Sequence, residues 1–125
     1  SIAKAFRGEA EVAFVRGCPT LVNDSELSEC ATRYTTELLG AGKAFNAEQL
    51  LAMSGGKPSK AGGSEDFAYV SHEVPSIMLA LAAGEPAKGY SYPQHHPKVK
   101  FDEGVLAAGS AVYAFNASKW LEEHR

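Results

Sequence analysis

Cysteine is scarce in this sequence, and the scarcity limits the class of protein. The 125 residues contain only Cys18 and Cys30, and one possible bridge does not make a disulfide scaffold. Reduced thiols and a cytoplasmic location are therefore predicted. Long apolar runs are also missing. The longest, residues 77–83, is far too short to span a bilayer, so no membrane partner is expected.

Positive charge is neither abundant nor clustered. Twelve lysines and arginines stand against fifteen acidic residues, giving a net charge of −3. The basic residues are scattered, without the stripe of lysine, arginine and aromatic residues that marks a nucleic-acid-binding surface. We predict no nucleic-acid partner. The composition, 45% hydrophobic and 22% charged, is that of an ordinary globular protein, and the length suits one small domain.

Two segments have strand patterns. Residues 9–15 alternate between apolar and polar side chains, which predicts a half-buried strand of an antiparallel sheet. Residues 76–82 are continuously apolar after Pro75, which predicts a strand buried on both faces. Residues 1–7 resemble the last turns of a helix and contain no start signal of their own. We therefore expect the chain to be a fragment of a longer protein.

Three segments have helical spacing and a residue able to cap the first turn. They are residues 24–40, capped by Asp24 or Ser25; residues 64–71, capped by Ser64; and the C-terminal segment, capped by Asp102. In the first segment, helical spacing is followed by Leu27, Cys30, Ala31, Tyr34 and Leu38. In the last, the predicted core face consists of Leu106, Gly109, Tyr113, Ala117 and Trp120, and it is widened by Val105, Val112 and Leu121. Residues 45–53 fit a helix or a strand edge equally well. Residues 54–63, rich in glycine and serine, predict a flexible loop.

The best candidate for a functional site is the pair of adjacent histidines, His95 and His96, between Pro93 and Pro97. Neutral imidazole is the commonest nitrogen ligand of zinc-like metals. Neighbouring side chains point in different directions, so only one of the pair is expected to face a given metal. A metal site needs three or four protein ligands. A surface loop with two titrating histidines therefore remains open as the alternative.

Four segments together resemble the C-terminal part of the M20 metallopeptidase family, in the branch of hippurate hydrolases, N-acyl-L-amino acid amidohydrolases and plant auxin-conjugate hydrolases. The segments are residues 17–24 (GCPTLVND), residues 62–68 (GGSEDFA), Val74-Pro75, and residues 92–98 (YPQHHPK) with Phe101-Asp102. The resemblance implies an α/β fold. Residues 1–20 would be the last helix and strand of an α+β lid domain that mediates homodimerisation. Residues 21–125 would be the C-terminal part of a three-layer αβα zinc-peptidase-like catalytic domain.

The resemblance also implies an activity and a set of site residues. The parent would be a metal-dependent amidohydrolase that cleaves N-acyl amino acids, such as hippurate-like amides, with metal-activated water and a glutamate that moves the proton. Two divalent metals are implied, Zn or else Mn, Co or Ni. His95 matches the metal ligand of the family's His-x-Pro motif. Glu65 and Asp66 match residues that line the site, and Asn23 matches a substrate-binding residue. On spacing alone, both carboxylates instead belong to the first turn of a helix, where the helix dipole favours negative charge.

The remaining metal ligands and the general base of the family match no part of these 125 residues. The chain on its own is therefore expected to hold an incomplete metal site or none, to be inactive, and to self-associate through exposed apolar surface. Two alternatives remain open. One is a dipeptidase or carboxypeptidase-type peptidase of the same family. The other is a non-catalytic binding or interaction module that folds independently.

Overall fold

The computed structural model describes residues 2–53, 55 and 64–125. Within these ranges the chain forms helices and no assigned β-strand. The α-helices are α1 (Ile2–Ala5), α2 (Ser25–Leu39), α3 (Ala47–Met53), α4 (Phe67–Glu73) and α5 (Leu106–Glu123), and short 3-10 helices occupy Pro86–Lys88 and Glu103–Val105. None of these helices is long and apolar enough to cross a membrane. Apart from Gly55, the loop predicted for residues 54–63 lies outside the described residues.

Helix α2 begins and ends where its capping residues predict. The Oδ1 atom of Asp24 accepts a hydrogen bond from the Leu27 amide at 2.9 Å, so Asp24 rather than Ser25 is the N-cap. Gly40 ends the helix with a φ of 95°, and its amide donates to the Thr36 carbonyl. Glycine adopts this positive φ without the steric penalty that a Cβ would bring. Both ends of α2 are thus fixed by local chemistry.

The ambiguous stretch at residues 45–53 contains helix α3. Asn46 accepts a hydrogen bond through Oδ1 from the Gln49 amide at 2.8 Å, and Gln49 accepts through Oε1 from the Asn46 amide at 2.9 Å. This reciprocal pair is a capping box, which satisfies two amides that the first helical turn leaves free. The Asn-x-x-Gln spacing carried a helix signal that the apolar pattern alone did not.

Helices α2 and α5 pack together around a small core. Ala31, Tyr34 and Val112 are buried, with Tyr34 only 1% exposed. The side-chain amide of Asn116 donates to the hydroxyl of buried Thr35 at 3.1 Å and to the Val112 carbonyl at 2.8 Å. The helical spacing of Ala31 and Tyr34 predicted this packing face of α2 correctly.

The packing face of α5 agrees with the predicted one only in part, since Val112 is buried as predicted. Asp102 does cap the C-terminal segment, through a bond from the Gly104 amide at 2.9 Å. Leu106 and Tyr113, however, are 63% and 74% exposed. The helix has apolar residues on more than one side, so spacing alone does not choose the buried side. Gly109 does face the interior, since a Cβ built on it would lie 3.0 Å from a methyl carbon of Leu81.

The two segments with strand patterns form no strand within the described residues. In residues 9–15, Val12 and Phe14 are 89% and 90% exposed. Residues 76–83 are held at both ends by single backbone bonds, from the Asp24 amide to the Ser76 carbonyl at 2.9 Å and from the Asp102 amide to the Ala83 carbonyl at 2.8 Å. A strand requires a regular ladder of bonds to a neighbour. The αβα layers therefore stay a prediction.

The chain exposes an unusually large surface. Its accessible area is 10531 Å², whereas a compact monomer of 13.3 kDa is expected to expose about 6,500 Å². Many large apolar side chains are among the exposed residues. Exposed large side chains include Ile2, Phe6, Val12, Phe14, Val15, Met78, Leu79, Leu81, Leu106, Tyr113 and Leu121. Apolar surface on this scale usually contacts another part of a protein or a partner.

A polar cluster joins the end of α5 to the middle of α2. Arg33 donates to both carboxylate oxygens of Glu123, at 3.0 and 2.8 Å, and the Tyr34 hydroxyl donates to one of them at 2.7 Å. The hydrogen bonds from Arg33 and Tyr34 lower the pKa of Glu123 to about 2. Burial, helped by the bond to Glu123, raises the pKa of Tyr34 to about 12.

These shifts predict how folding stability depends on pH. The contribution of Glu123 should be fully present above its ordinary pKa of 4.5 and should be lost as pH falls through about 2. The contribution of Tyr34 should be fully present below its ordinary pKa of 10.0 and should be lost as pH rises through about 12. Urea unfolding of the wild type and of Glu123→Gln at a series of acidic pH values measures the contribution of Glu123. The difference between their free energies of unfolding should become smaller as pH falls.

A matched control is available on the same helix pair. Glu37 contacts Lys119 at 3.1 Å and, unlike Glu123, accepts from a single side chain. Glu37→Gln should therefore change stability less than Glu123→Gln does at neutral pH. If the difference in the free energy of unfolding between the wild type and Glu123→Gln stayed constant from neutral pH down to about pH 2, the role given to Glu123 would be contradicted.

Candidate functional site

The two histidines of the proline-flanked loop are held in different ways. The His96 ring stacks on Tyr92, with centroids 4.4 Å apart and planes 15° from parallel. Its Nδ1 accepts a hydrogen bond from the Lys98 amide at 3.0 Å. An Nδ1 that accepts a hydrogen bond carries no hydrogen of its own, which leaves Nε2 as the ring nitrogen that carries one. His96 is therefore part of the loop's internal structure.

His95 is turned outward by the same loop. It is exposed, and neither ring nitrogen has a hydrogen-bond partner among the described residues. The loop is closed behind it by bonds from the His96 amide to the Pro93 carbonyl at 3.1 Å and from the Val99 amide to the His96 carbonyl at 2.9 Å. His95 has a φ of 71°, a left-handed conformation that costs a residue with a Cβ about 1–3 kcal/mol. Of the two imidazoles, His95 is the one available to a ligand.

One available imidazole is not a complete metal site. In the described ranges, no group of three or more His, Cys, Asp or Glu side chains is arranged to hold a metal ion. Stable zinc sites need three or four protein ligands. The described residues thus fit one ligand position and do not fit a metal on their own, and metal ligation by His95 stays a prediction.

The Glu65-Asp66 pair also divides into two roles. Glu65 accepts a hydrogen bond from the Phe67 amide through Oε1 at 3.1 Å, so its carboxylate serves the first turn of α4. The Asp66 carboxylate is exposed and makes no capping bond. Helix α4 begins at Phe67, so the prediction that Ser64 caps it is wrong, since Glu65 supplies the oxygen instead. Asp66 is the carboxylate of the pair that remains available to a ligand.

Alanine variants should separate these two roles. We expect Glu65→Ala to lower the free energy of unfolding by about 1 kcal/mol, because a first-turn amide loses its acceptor. Asp66→Ala should leave stability nearly unchanged. Chemical denaturation of both variants measures the difference, and Glu65→Gln should retain most of the stability because its amide oxygen can still accept. Equal losses in the two alanine variants would contradict the assignment.

The side chain of Asn23 forms hydrogen bonds with both backbone groups of Met78. Its Oδ1 accepts from the Met78 amide at 2.9 Å, and its Nδ2 donates to the Met78 carbonyl at 3.1 Å. The side chain thereby ties residues 17–24 to residues 76–83. A carboxamide has one further hydrogen and further acceptor capacity, so Asn23 can still contact a substrate. That substrate-binding role stays a prediction.

Helix α4 also holds residues 17–24, called here the crossing segment, through two residues that the sequence analysis missed. The Tyr69 hydroxyl lies 3.5 Å from the Gly17 carbonyl, and Nε2 of His72 lies 2.9 Å from the Thr20 carbonyl. A carbonyl only accepts, so Nε2 of His72 carries the hydrogen. Asn23, α4 and the crossing segment form one unit. No described hydrogen bond or ion pair links this unit to His95.

A cleft of about 400 Å³ lies beside the His95 loop. Its walls come from Gly89, Tyr92, Pro97, Lys98, Val99 and Lys100. A second depression, of about 290 Å³, lies at the end of α4 and is lined by Val22, Asp24 and residues 71–76. The first cleft is lined by residues on both sides of His95 in the sequence, so it is the candidate place for a ligand.

No family model matches the chain, and no solved structure gives a significant match. Comparison with curated proteins does find relatives. A "probable hydrolase" of Synechocystis is 26% identical over 122 residues, 98% of this chain. An IAA-amino acid hydrolase of Arabidopsis thaliana is 28% identical over 105 residues, 84% of this chain. A thermostable carboxypeptidase of Saccharolobus solfataricus is 26% identical over 121 residues, 96% of this chain.

These relatives are much longer than the chain, which covers 28%, 20% and 27% of their respective lengths. Two are named as hydrolases and the third as a carboxypeptidase. Across most of its length, this chain is therefore similar to part of a set of hydrolytic enzymes.

Proposed function

We propose that the protein to which these residues belong is a metal-dependent amidohydrolase of the M20 type, acting on N-acyl amino acids such as hippurate-like amides. Residues 1–20 would end its lid domain, and residues 21–125 would form the C-terminal part of its αβα catalytic domain. The relatives named IAA-amino acid hydrolase and carboxypeptidase support amide hydrolysis as the reaction. The second name favours a peptide as the alternative substrate.

The contrast between His95 and His96 carries the proposal. One imidazole is fixed by a ring stack and a hydrogen bond, while its neighbour faces solvent at a strained backbone angle. Strained backbone persists mainly where function requires it. An exposed imidazole without a partner is suited to binding a ligand, and a metal is the ligand that the His-x-Pro resemblance implies.

The bound group would be a divalent metal, zinc or else manganese, cobalt or nickel, and it would supply Lewis-acid chemistry for amide hydrolysis. His95 would be one of its ligands. Asp66 and Asn23 would contact the substrate, while Glu65 would hold the start of α4 beside them. The other ligands and the general base would lie outside the described residues. The 125-residue chain alone would therefore be inactive.

The exposed apolar surface also supports this proposal over a self-contained interaction module. An independent module of 13.3 kDa would expose far less than 10531 Å². In the proposed protein, the rest of the lid and sheet would cover the side chains of residues 2–15 and 76–83. A second copy would pack against the lid in the homodimer.

A substrate panel tests the proposal and its alternative. The whole protein, supplied with divalent metal, should release glycine from N-benzoylglycine and amino acids from N-acetyl amino acids. Much slower release from dipeptides and from the C-termini of peptides is expected. Faster cleavage of peptides would favour the carboxypeptidase alternative, and no cleavage of any amide would overturn the proposed function.

A further inference from the structure

The cleft beside the His95 loop is lined by two positive charges that have no ion-pair partner in the described part of the chain. Lys98 and Lys100 both line it, and neither forms an ion pair with any described residue. Other lysines do form ion pairs: Lys88 meets Glu85 at 2.9 Å and Lys119 meets Glu37 at 3.1 Å. In a chain with a net charge of −3, two unpaired ammonium groups on one cleft favour an anionic ligand.

Tyr92 positions one of these charges without neutralising it. The Lys98 ammonium lies 5.9 Å from the centroid of the Tyr92 ring, and the ring attracts the cation through its quadrupole only. The same ring stacks on His96, whose Nδ1 accepts from the Lys98 amide. The Lys98 ammonium therefore contacts the Tyr92 ring, this ring contacts His96, and His96 binds the Lys98 backbone. The charge is held next to the loop that presents His95.

Space for a ligand is available at this wall. Gly89 has a φ of 93°, and a Cβ built on it would meet no atom within 4 Å. The Tyr92 hydroxyl has no hydrogen-bond partner among the described residues and can donate to an anion. The cleft therefore offers two ammonium groups and a hydroxyl donor around open volume.

We propose that this cleft binds the carboxylate of a small organic acid, with Lys98 and Lys100 supplying the cationic groups. The inference rests on the proposed function and deepens it, because it assigns recognition of the amino-acid carboxylate to residues of this chain. Lys98 and Lys100 are specificity-determining residues in this account. They select substrates that carry a free carboxylate.

Binding to the whole protein tests the inference. Titration calorimetry on protein freed of metal by a chelator, so that neither compound is hydrolysed, would compare N-acetylglycine with N-acetylglycinamide, which has the same shape but no charge. The wild type should bind the acid at least tenfold more tightly, because a charge-assisted contact typically contributes roughly a factor of ten or more. Lys98→Gln and Lys100→Gln should each lower the affinity for the acid about tenfold and leave that for the amide unchanged. Lys98→Arg should retain the preference.

Lys88→Gln is the matched control, since its ammonium is already paired and is not part of the cleft. It should bind both compounds like the wild type. Equal wild-type affinity for acid and amide, or an acid preference that survives in both glutamine variants, would overturn the inference. Inorganic phosphate is titrated in parallel. Phosphate binding as tight as that of the acid, and lost in the same variants, would reassign the cleft to phosphate and overturn carboxylate recognition.

This test does not depend on turnover. Carboxylate binding that follows the predicted pattern, in a protein that cleaves no amide, would overturn the proposed function and leave the inference standing. If the protein hydrolysed amides but bound N-acetylglycine and N-acetylglycinamide equally well, the inference would be overturned and the proposed function would stand.

Discussion

Replacing His95 by alanine should lower the rate of amide hydrolysis by the whole protein more than about 100-fold, since loss of even an outer partner of a metal ligand typically lowers metal affinity or activity roughly 10–100-fold. The bound metal should fall together with the rate. The physical reason is that His95 is exposed at a φ of 71° and has no hydrogen-bond partner among the residues that the structure describes. Steady-state kinetics and metal analysis of the purified variant measure both effects.

His96→Ala is the matched control, because it removes the neighbouring imidazole from the same loop. That substitution removes the stack on Tyr92 and the acceptor for the Lys98 amide. We expect a less stable protein that still binds the wild-type amount of metal. If His95→Ala kept full metal content and turnover while His96→Ala lost them, the ligand would be His96 and the assignment would be wrong.

Gly84→Ala should destabilise the protein by about 3 kcal/mol, the second large effect that we expect. Gly84 follows residues 76–83 and has a φ of 145°, which a residue with a Cβ rarely adopts. A Cβ there would also overlap the Cβ and Cγ atoms of Tyr90. Backbone strain and overpacking each cost about 1–3 kcal/mol. The free energy of unfolding from urea titration measures the sum.

Gly89→Ala separates the two contributions. Gly89 also has a positive φ, of 93°, but a Cβ there would meet no atom within 4 Å. This variant should therefore show the cost of the backbone conformation alone. The double variant Gly84→Ala/Tyr90→Ala should recover part of the loss caused by Gly84→Ala. If the Gly84 and Gly89 variants were equally stable, Tyr90 would not pack against Gly84.

The features that the sequence predicted best are local ones. Asp24 and Asp102 cap helices through amides two or three residues away, and Gly40 ends α2 because no Cβ opposes its positive φ. Such effects depend on neighbours along the chain, so residue types reveal them. The prediction that Ser64 caps α4 was wrong because a second local acceptor was present. The longer side chain of Glu65 accepts the bond from the first-turn amide.

Features that depend on distant residues were not predictable in the same way. The bonds between Asn23 and Met78, and between His72 and Thr20, join residues 55 and 52 positions apart. Strand pairing of residues 9–15 needs a neighbouring backbone that the described residues do not supply. The predicted face of α5 was wrong at Leu106 and Tyr113 for a related reason, since contacts with distant segments decide which apolar side is covered.

The candidate site shows the same division. Residue types identified the His95-His96 loop but could not say which imidazole was available. The His-x-Pro resemblance favoured His95. The structure gives a physical reason, because Tyr92 and the Lys98 amide engage His96. Nothing in the pattern of the sequence showed that Lys98 and Lys100 share a cleft, since that depends on how the loop folds back.

The most direct test of the central claim is the metal dependence of N-benzoylglycine hydrolysis by the whole protein. Metal content and rate would be measured as purified, after dialysis against a chelator, and after zinc or manganese is returned. The account predicts bound divalent metal, loss of hydrolysis on chelation and recovery when metal is restored. Hydrolysis that continues at the full rate in metal-free protein would contradict it.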